Sequence, residues 1–573
     1  MARGIGSKPP PTTPAELDLA LDRLDAGAPR LAALPPGERA RLLRAVGRRF
    51  HELAPRFVAL DAAAKGIDAE SARAGEPALE GPVIVLRFVT ELAATFEGKR
   101  RLGSERVREV DGRTVVDALP LDPYDSVVFR GFRGEVWLDR AVAPGAVATD
   151  PRTLGAREAE IALVLGAGNV ASIGVVDALG QCFVEGRACV LKLSPVNDYQ
   201  GPLLELAFAP LVKEGFLALA YGGADVGAYL AAHPAIDAIH VTGAYETHEA
   251  IVWGADAEQR RANKARGEPI CRKPVTSELG NVSPAVVVPG AWTDREIDHA
   301  ARSIAGSFAF NAGFNCNATK LVVTPRGTDL RERLLARLRA VLAEIPLRDA
   351  YYPGAAAKYE RFTTSGGRVE KLGVPARTAS GAAPSGTTAW ALVTELEPSM
   401  HPACFEHEPF CAVLSEVALG GSDPLEFMAA VAPFLNERVW GTLNAMLLVP
   451  EAVTGDPTLA RGLEATIRAL RYGSVGVNVW PAVAYGLGTL PWGGHPSGTL
   501  ADVQSGLGFG HNSLLLEHVE KSVVRAPLVQ TLPKPFWYPG YRTLDRLARR
   551  LVDFQADPSP LALARVAFEA LRG

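Results

Sequence analysis

The chain has 573 residues, 48% of them hydrophobic and 22% charged, with a formal net charge of −4. That length is too great for one core, so two or three domains are expected, and the ordinary globular proportions exclude a disordered or fibrous chain. Slight acidity gives no general attraction to nucleic acid or anionic lipid, and six cysteines without CxxC or paired metal spacing speak against a disulfide scaffold or metal centre.

Residues 1 to 14 are Pro-rich and expected to be loosely draped. Their basic start has no apolar stretch behind it, so neither a signal peptide nor an anchor is expected, and a reducing cytoplasm suits the cysteines. From Ala15 to about Gly66, apolar residues recur at helical spacing and predict two or three amphipathic helices; a further helix is expected over Pro82 to Phe96. The arginines Arg39, Arg41, Arg44, Arg48 and Arg49 read as solvated helix faces. Between Val107 and Asp150 the pieces TVVDAL, SVVFRGF and GEVWL suit short strands or hairpins. From Glu160 strands and helices alternate through EIALVLGAGN, ACVLKLSP and AIHVTGA, the rhythm of a parallel α/β sheet.

Gly166, Ala167, Gly168 and Ala171 mimic the Gly-rich turn of an ordinary dinucleotide fold. That fold needs an acid at the end of the second strand, and here the strand ends in Leu191, Lys192, Leu193, so the assignment fails its own test. Residues 253 to 274 are polar and basic. They read as an exposed loop, or alternatively as a source of Arg260, Arg261, Lys264 or Arg266 for a cofactor ribose.

The stretch from Pro274 to Lys320 organises the rest. It places Glu278 of ELGN upstream of Cys316 in NAGFNCNATK, after a helical SIAGSFAFNA. A thiol with a reference pKa of about 8.5 needs an electropositive setting or a proton acceptor to become a nucleophile, and Glu278 is the nearest acceptor; Gly313 would allow close backbone approach. Beyond it come a helix around Arg331 to Ala343, an expected surface excursion from Tyr351 to Thr388, and FEHEPFCAVL with Glu408 and Phe410. NERVWGTLNAMLLV, GSVGVNVWPA and PWGGHPSG follow, then a tail after Val523 with Phe536, Trp537, Tyr538 and Tyr541. The tail is expected to dock on the subunit body or its neighbour, the alternatives being a membrane surface or the cap of a long apolar tunnel.

KPVTSELGNVSP followed by NAGFNC resembles the catalytic core of the aldehyde dehydrogenase superfamily, and FEHEPF, VTGA and PWGGHPSG resemble further blocks of it in order. The resemblance spans about residues 155 to 515. Asn281, Phe314, Ala244 and His248 depart from the family pattern, and His495 stands at a usually variable position. The resemblance implies an α/β fold of two parallel α/β domains with a β-rich oligomerisation segment. The expected division is 1–275 for the N-terminal helices and dinucleotide-binding domain, with the hairpin near 125–150. A catalytic domain follows over 276–478, and a bridging segment and tail over 479–573. It implies Cys316 as nucleophile, Glu278 as base for hydrolytic water, and Asn169 with the Cys316 N–H as oxyanion donors. Lys192, Gly243, Ala244, Glu408 and Phe410 are implied as cofactor-binding residues for NAD or NADP. Pro195 stands where many NAD-preferring relatives carry an acid, which leaves NADP open. The activity implied is oxidation of a small-molecule aldehyde to its acid by a homodimer or homotetramer. A coenzyme-A-acylating reductase and a non-catalytic protein keeping the fold are the alternatives. Phe310, Phe314, Trp480 and Tyr485 are candidates for an apolar pocket.

Overall fold

The computed structural model describes residues 8–147, 158–375 and 386–573. Two helices, Pro14–Ala32 and Pro36–Ala64, open the chain, the first closed by a capping box between Thr13 and Glu16. Their apolar stripes pack against the six-stranded sheet described below and against the helix Ile84–Phe96. Arg39 is not a solvated residue: it is buried and donates to the carbonyls of Leu31, Leu34 and Phe183, tying the second helix to the first and to the body.

Among the described residues, two sheets carry the architecture. The six-stranded one has, in order, Gly506–Leu507, Val275–Leu279, Ala238–Gly243, Ile161–Leu165, Ala188–Lys192 and Leu217–Ala220. All neighbours are parallel except the first pair. The chain enters at Ile161–Leu165, builds outward on one side and then returns to the other. The strand order therefore reverses between Ile161–Leu165 and Ala238–Gly243, where such sheets bind ligands at their carboxyl ends. Leu165 stands opposite Lys192 and Val241, and Gly243 opposite Leu279, so Asn169, Lys192, Gly243 and Glu278 all belong to one edge.

The eleven-stranded sheet has a parallel centre built from Pro284–Val287, Leu321–Pro325, Trp390–Leu396, Val413–Leu419, Asn444–Leu448, Ser474–Val477 and Val519–Arg525. Antiparallel strands finish it: Arg368–Leu372 at one end, and Arg133–Leu138, Arg113–Leu119 and Val107–Val110 at the other. The expected β-rich segment thus extends the second sheet. SVVFRGF, however, begins within a short helix, Pro123–Val128, because Asp122 caps it and Pro123 presets its first turn. Part of the expected hairpin, residues 148–150, lies outside the described residues.

Two further expectations are corrected. Residues 253–274 are largely exposed but not a loop throughout: Ala257–Arg266 is a helix, capped by Asp256 and ended by Gly267 in the left-handed conformation. Lys264 there pairs with Glu249 at 2.6 Å and Arg260 binds the carbonyls of Gly254 and Ala255, so both are engaged locally. The stretch after Tyr351 is not only a surface excursion, since it holds the helix Ala355–Thr364 and the edge strand Arg368–Leu372; residues 376–385 of it lie outside the described residues. The tail folds into two helices, Leu544–Ala556 and Pro560–Ala570, docked on the body. No described helix is long and apolar enough to cross a membrane.

Candidate active site

The helix Asp294–Ala309 starts from a Thr293/Glu296 capping box and stops where Asn311, Ala312 and Gly313 take positive φ of 51°, 56° and 82°. Two non-glycine residues in that region cost about 1–3 kcal/mol each, so the surroundings must hold the turn. They do so with amides. Asn311 Nδ2 donates to the Asn169 carbonyl at 3.0 Å and to Asn315 Oδ1 at 3.0 Å, while Tyr351 OH donates to Asn311 Oδ1 at 2.9 Å. Lys320, fully buried, donates to the carbonyls of Gly313 and Cys411. A side chain at position 313 would crowd that ammonium, which is why glycine stands there.

This turn delivers Cys316 to Glu278. Sγ lies 3.6 Å from Glu278 Oε1, within reach of an S–H···O bond, and the same oxygen accepts Trp492 Nε1–H at 2.8 Å. Trp492 comes from the PWGG block, where the motif drew attention to His495 instead. His495 faces Ser497 and Glu520 and makes no bond to Glu278. Beneath the cysteine, Ser283 Oγ donates to the Cys316 carbonyl at 2.7 Å. Asn281 Nδ2 donates to Ser283 Oγ at 3.1 Å and to the Asn444 carbonyl at 2.8 Å. Asn281, a departure from the pattern of the resembled family, is thus a buried strut under Cys316.

Burial dominates the electrostatics. It pushes the Glu278 carboxyl up to about 7, with Asp177 adding to the rise and the Trp492 hydrogen bond opposing it. Burial, then the charges of Glu278 and Glu408, pushes the Cys316 thiol well above its ordinary range. Of the two settings expected for the cysteine, an electropositive one or a proton acceptor, the second is present: the thiol is held as S–H beside Glu278. Glu80, pushed up to about 7 chiefly by burial, accepts Asn315 Nδ2–H at 3.0 Å and lies 3.4 Å from Lys65 Nζ, bracing the cysteine turn from the other side.

Asn169 reaches the same turn, but its Nδ2 donates to the Phe314 carbonyl at 2.9 Å. One of its two N–H groups is therefore committed to the loop and the other remains for a ligand. Glu408 lies over Gly280 and accepts the Asn281 N–H at 3.2 Å; burial pushes its carboxyl up to about 7, against the pull of Lys358. Phe410 packs on Tyr352 and Phe314 at 4.9 and 5.8 Å between ring centroids, so Phe314 and Phe410 form one aromatic cluster. Lys192 ends its strand, its ammonium has no hydrogen-bond or ion-pair partner among the described residues, and burial lowers its pKa. Gly243 borders open space, and Ala244 begins the helix Tyr245–Trp253. An unpaired lysine, an open glycine turn at a helix N-terminus and a buried carboxylate on one sheet edge fit a dinucleotide.

Fold and site together define a two-sheet α/β protein whose thiol and carboxylate meet at the ligand-binding edge of a dinucleotide-type sheet. Residues 163–414 match the profile of the Aldehyde dehydrogenase family. Over 169 residues the chain is 33% identical to Betaine aldehyde dehydrogenase 2 of Rhizobium meliloti (strain 1021); that match spans 29% of this chain and 30% of the relative. The fold is shared with a gamma-glutamyl-gamma-aminobutyraldehyde dehydrogenase from Burkholderia cenocepacia J2315, with a TM-score of 0.60, 18% identity and 89% and 88% of the two chains covered. It is shared also with an NADP-dependent glyceraldehyde-3-phosphate dehydrogenase from Bacillus halodurans C-125, with a TM-score of 0.59, 18% identity and 90% and 92% covered. The likeness in sequence to the Aldehyde dehydrogenase family thus lies within residues 163–414, while the likeness in fold spans most of the chain.

Proposed function

We propose that this protein oxidises an aldehyde to the carboxylic acid with NAD or NADP, through a thioester on Cys316 that Glu278-activated water hydrolyses. The observation that carries the reading is the 3.6 Å approach of Cys316 Sγ to a carboxylate held near pKa 7. Glu278 takes the thiol proton as sulfur bonds to the carbonyl carbon, and the free N–H of Asn169 with the Cys316 N–H stabilises the oxyanion. When bound, the dinucleotide supplies the hydride acceptor that the oxidation needs. Lys192 and the Gly243–Ala244 turn would hold its adenosine and pyrophosphate, and Glu408 its nicotinamide ribose, with Phe410 beside the ring. In the second half Glu278, having first released the thiol's proton to solvent, removes a proton from water as the water oxygen bonds to the thioester carbon. The C–S bond breaks, sulfur regains a proton and the acid leaves. The presence of Glu278 favours hydrolysis over transfer to coenzyme A. We further propose a cytoplasmic homo-oligomer that pairs through the β-rich end of the large sheet, since Val107–Val110 is an edge strand there.

The test is formation of NADH or NADPH from a panel of aldehydes, run beside Cys316→Ala. Aldehyde-dependent reduction lost in the variant supports the reading. Reduction that survives it, or rapid NADPH consumption with an acyl-CoA and no acid from any aldehyde, rejects it.

A further inference from the structure

The tail is the part of the chain that the functional reading leaves unused. Its placement is specific. Trp537 Nε1 donates to Ser303 Oγ at 3.3 Å and Tyr538 OH to the His299 carbonyl at 3.1 Å, both on the helix that leads to Cys316. At Gly306 on the same helix a side chain would collide with the Trp537 carbonyl. Farther on, Thr90 Oγ1 binds the Gln555 carbonyl and Thr543 Oγ1 the Glu569 carbonyl, so both tail helices are fixed to the body and to each other.

The tail so held walls a cavity of about 740 Å³. Asn315 and Asn317, on either side of Cys316, line it together with Val170, Phe310 and Trp480; Phe536, Trp537, Leu547 and Leu563 line it from the tail. The aromatic rings are continuous from one set to the other. Phe310 lies 5.5 Å from Trp480 and 6.0 Å from Phe536, and Trp480 lies 6.2 Å from Trp537. Val127, Leu532 and Leu571, all among the lining residues, are more than half exposed and give the opening an apolar rim. Of the four charged groups in the wall, Glu80, Arg87, Arg130 and Lys534, the first two are already neutralised within the protein, and Lys534 Nζ donates to the Gly540 carbonyl at 3.4 Å. Glu80 is held by Asn315 and Lys65, and Arg87 by Asp125 at 2.9 Å and Glu91 at 3.3 Å. Neither is left to recognise a charged substrate. A volume at the upper part of the range for drug-sized ligands is also far more than a short aldehyde fills.

We propose that this tail-walled chamber takes the chain of an elongated apolar aldehyde, with its carbonyl at Cys316 and its hydrocarbon along the Phe310–Trp480–Trp537 wall. The proposal rests on the aldehyde-oxidising reading of Cys316. Burial of each added methylene then raises kcat/KM by about threefold to fourfold until the chamber is full.

The experiment measures kcat/KM for butanal, hexanal, octanal and decanal with NAD and NADP. A climb along the series is expected; a flat profile, or one falling after butanal, overturns the proposal. Ala567→Trp, which puts an indole into the chamber from the last helix, is expected to lower kcat/KM for decanal at least tenfold more than for butanal, and an equal loss for both counts against it. Binding is read separately in Cys316→Ala from the quenching of tryptophan fluorescence by butanol and decanol. Decanol binding at least a hundredfold tighter supports the chamber, and affinities that do not rise with length refute it. If no aldehyde of any length is oxidised, the functional reading fails while the alcohol titration still reports on the chamber.

Discussion

Glu278→Gln separates the two things Glu278 does. The amide keeps the shape and can still accept Trp492 Nε1–H, but it cannot take a proton from water, so hydrolysis should slow by about 10²- to 10⁴-fold. The substitution should also stabilise the fold at alkaline pH. The folded-state pKa is raised from 4.5 to about 7, so burial of the protonated acid costs little below pH 4.5 and progressively more as pH rises to 7. Over that span the destabilisation reaches about 3 kcal/mol, at roughly 1.36 kcal/mol per pKa unit. Spread over the unfolding entropy of a chain this long, that is a rise of about 2–3 °C in Tm for the variant at pH 8. Near pH 4.5 the gain should vanish. The assays are steady-state NAD(P)H formation and thermal melts of both proteins from pH 4.5 to 8.5. A variant no more stable than its parent at pH 8, or one that turns over at the parent's rate, would refute the assignment of a strained, working base.

The pH dependence of kcat in the unaltered protein should rise through an apparent pKa near 7 if hydrolysis limits turnover, because the carboxylate form is the active one. Trp492→Phe removes a hydrogen bond that lowers that pKa, and the alkaline-rising limb is expected to move up by about one unit; an unmoved limb would mean Trp492 does not tune the base. Asn281→Gly should cost about 2–3 kcal/mol, measured by urea unfolding, because Ser283 and the Asn444 carbonyl lose their donor. Lys192→Ala should weaken dinucleotide binding about tenfold in a calorimetric titration while leaving the reactivity of Cys316 toward iodoacetamide unchanged.

Much of this was legible in the residues, and the misses have identifiable causes. The pairing of Glu278 with Cys316 came from motif order, because the two blocks end a strand and begin a turn that only one sheet edge brings together. Trp492 stood within a quoted motif, but no spacing rule links residue 492 to residue 278. Only a loop folding back across the sheet does. Asn281 and Phe314 looked like departures and are compensated exchanges, the first as a buried amide strut and the second by joining Phe410 and Tyr352 in one cluster. The helix at Pro123 could have been found, since Asp-Pro followed by an acid is a start signal that was outweighed by the β-branched SVVF. The chamber could not, because its walls come from segments hundreds of residues apart whose aromatic residues read, one by one, as ordinary core.

The central claim is a covalent bond between substrate carbon and Cys316. Incubating Glu278→Gln with an aldehyde and NAD or NADP, then weighing the intact protein and its Cys316 peptide, tests it most directly. The acyl mass should appear on Cys316, more slowly because the thiol has also lost its proton acceptor, and persist, since hydrolysis has lost its base. An unmodified Cys316 peptide in a sample that has formed one equivalent of NADH or NADPH would contradict the account.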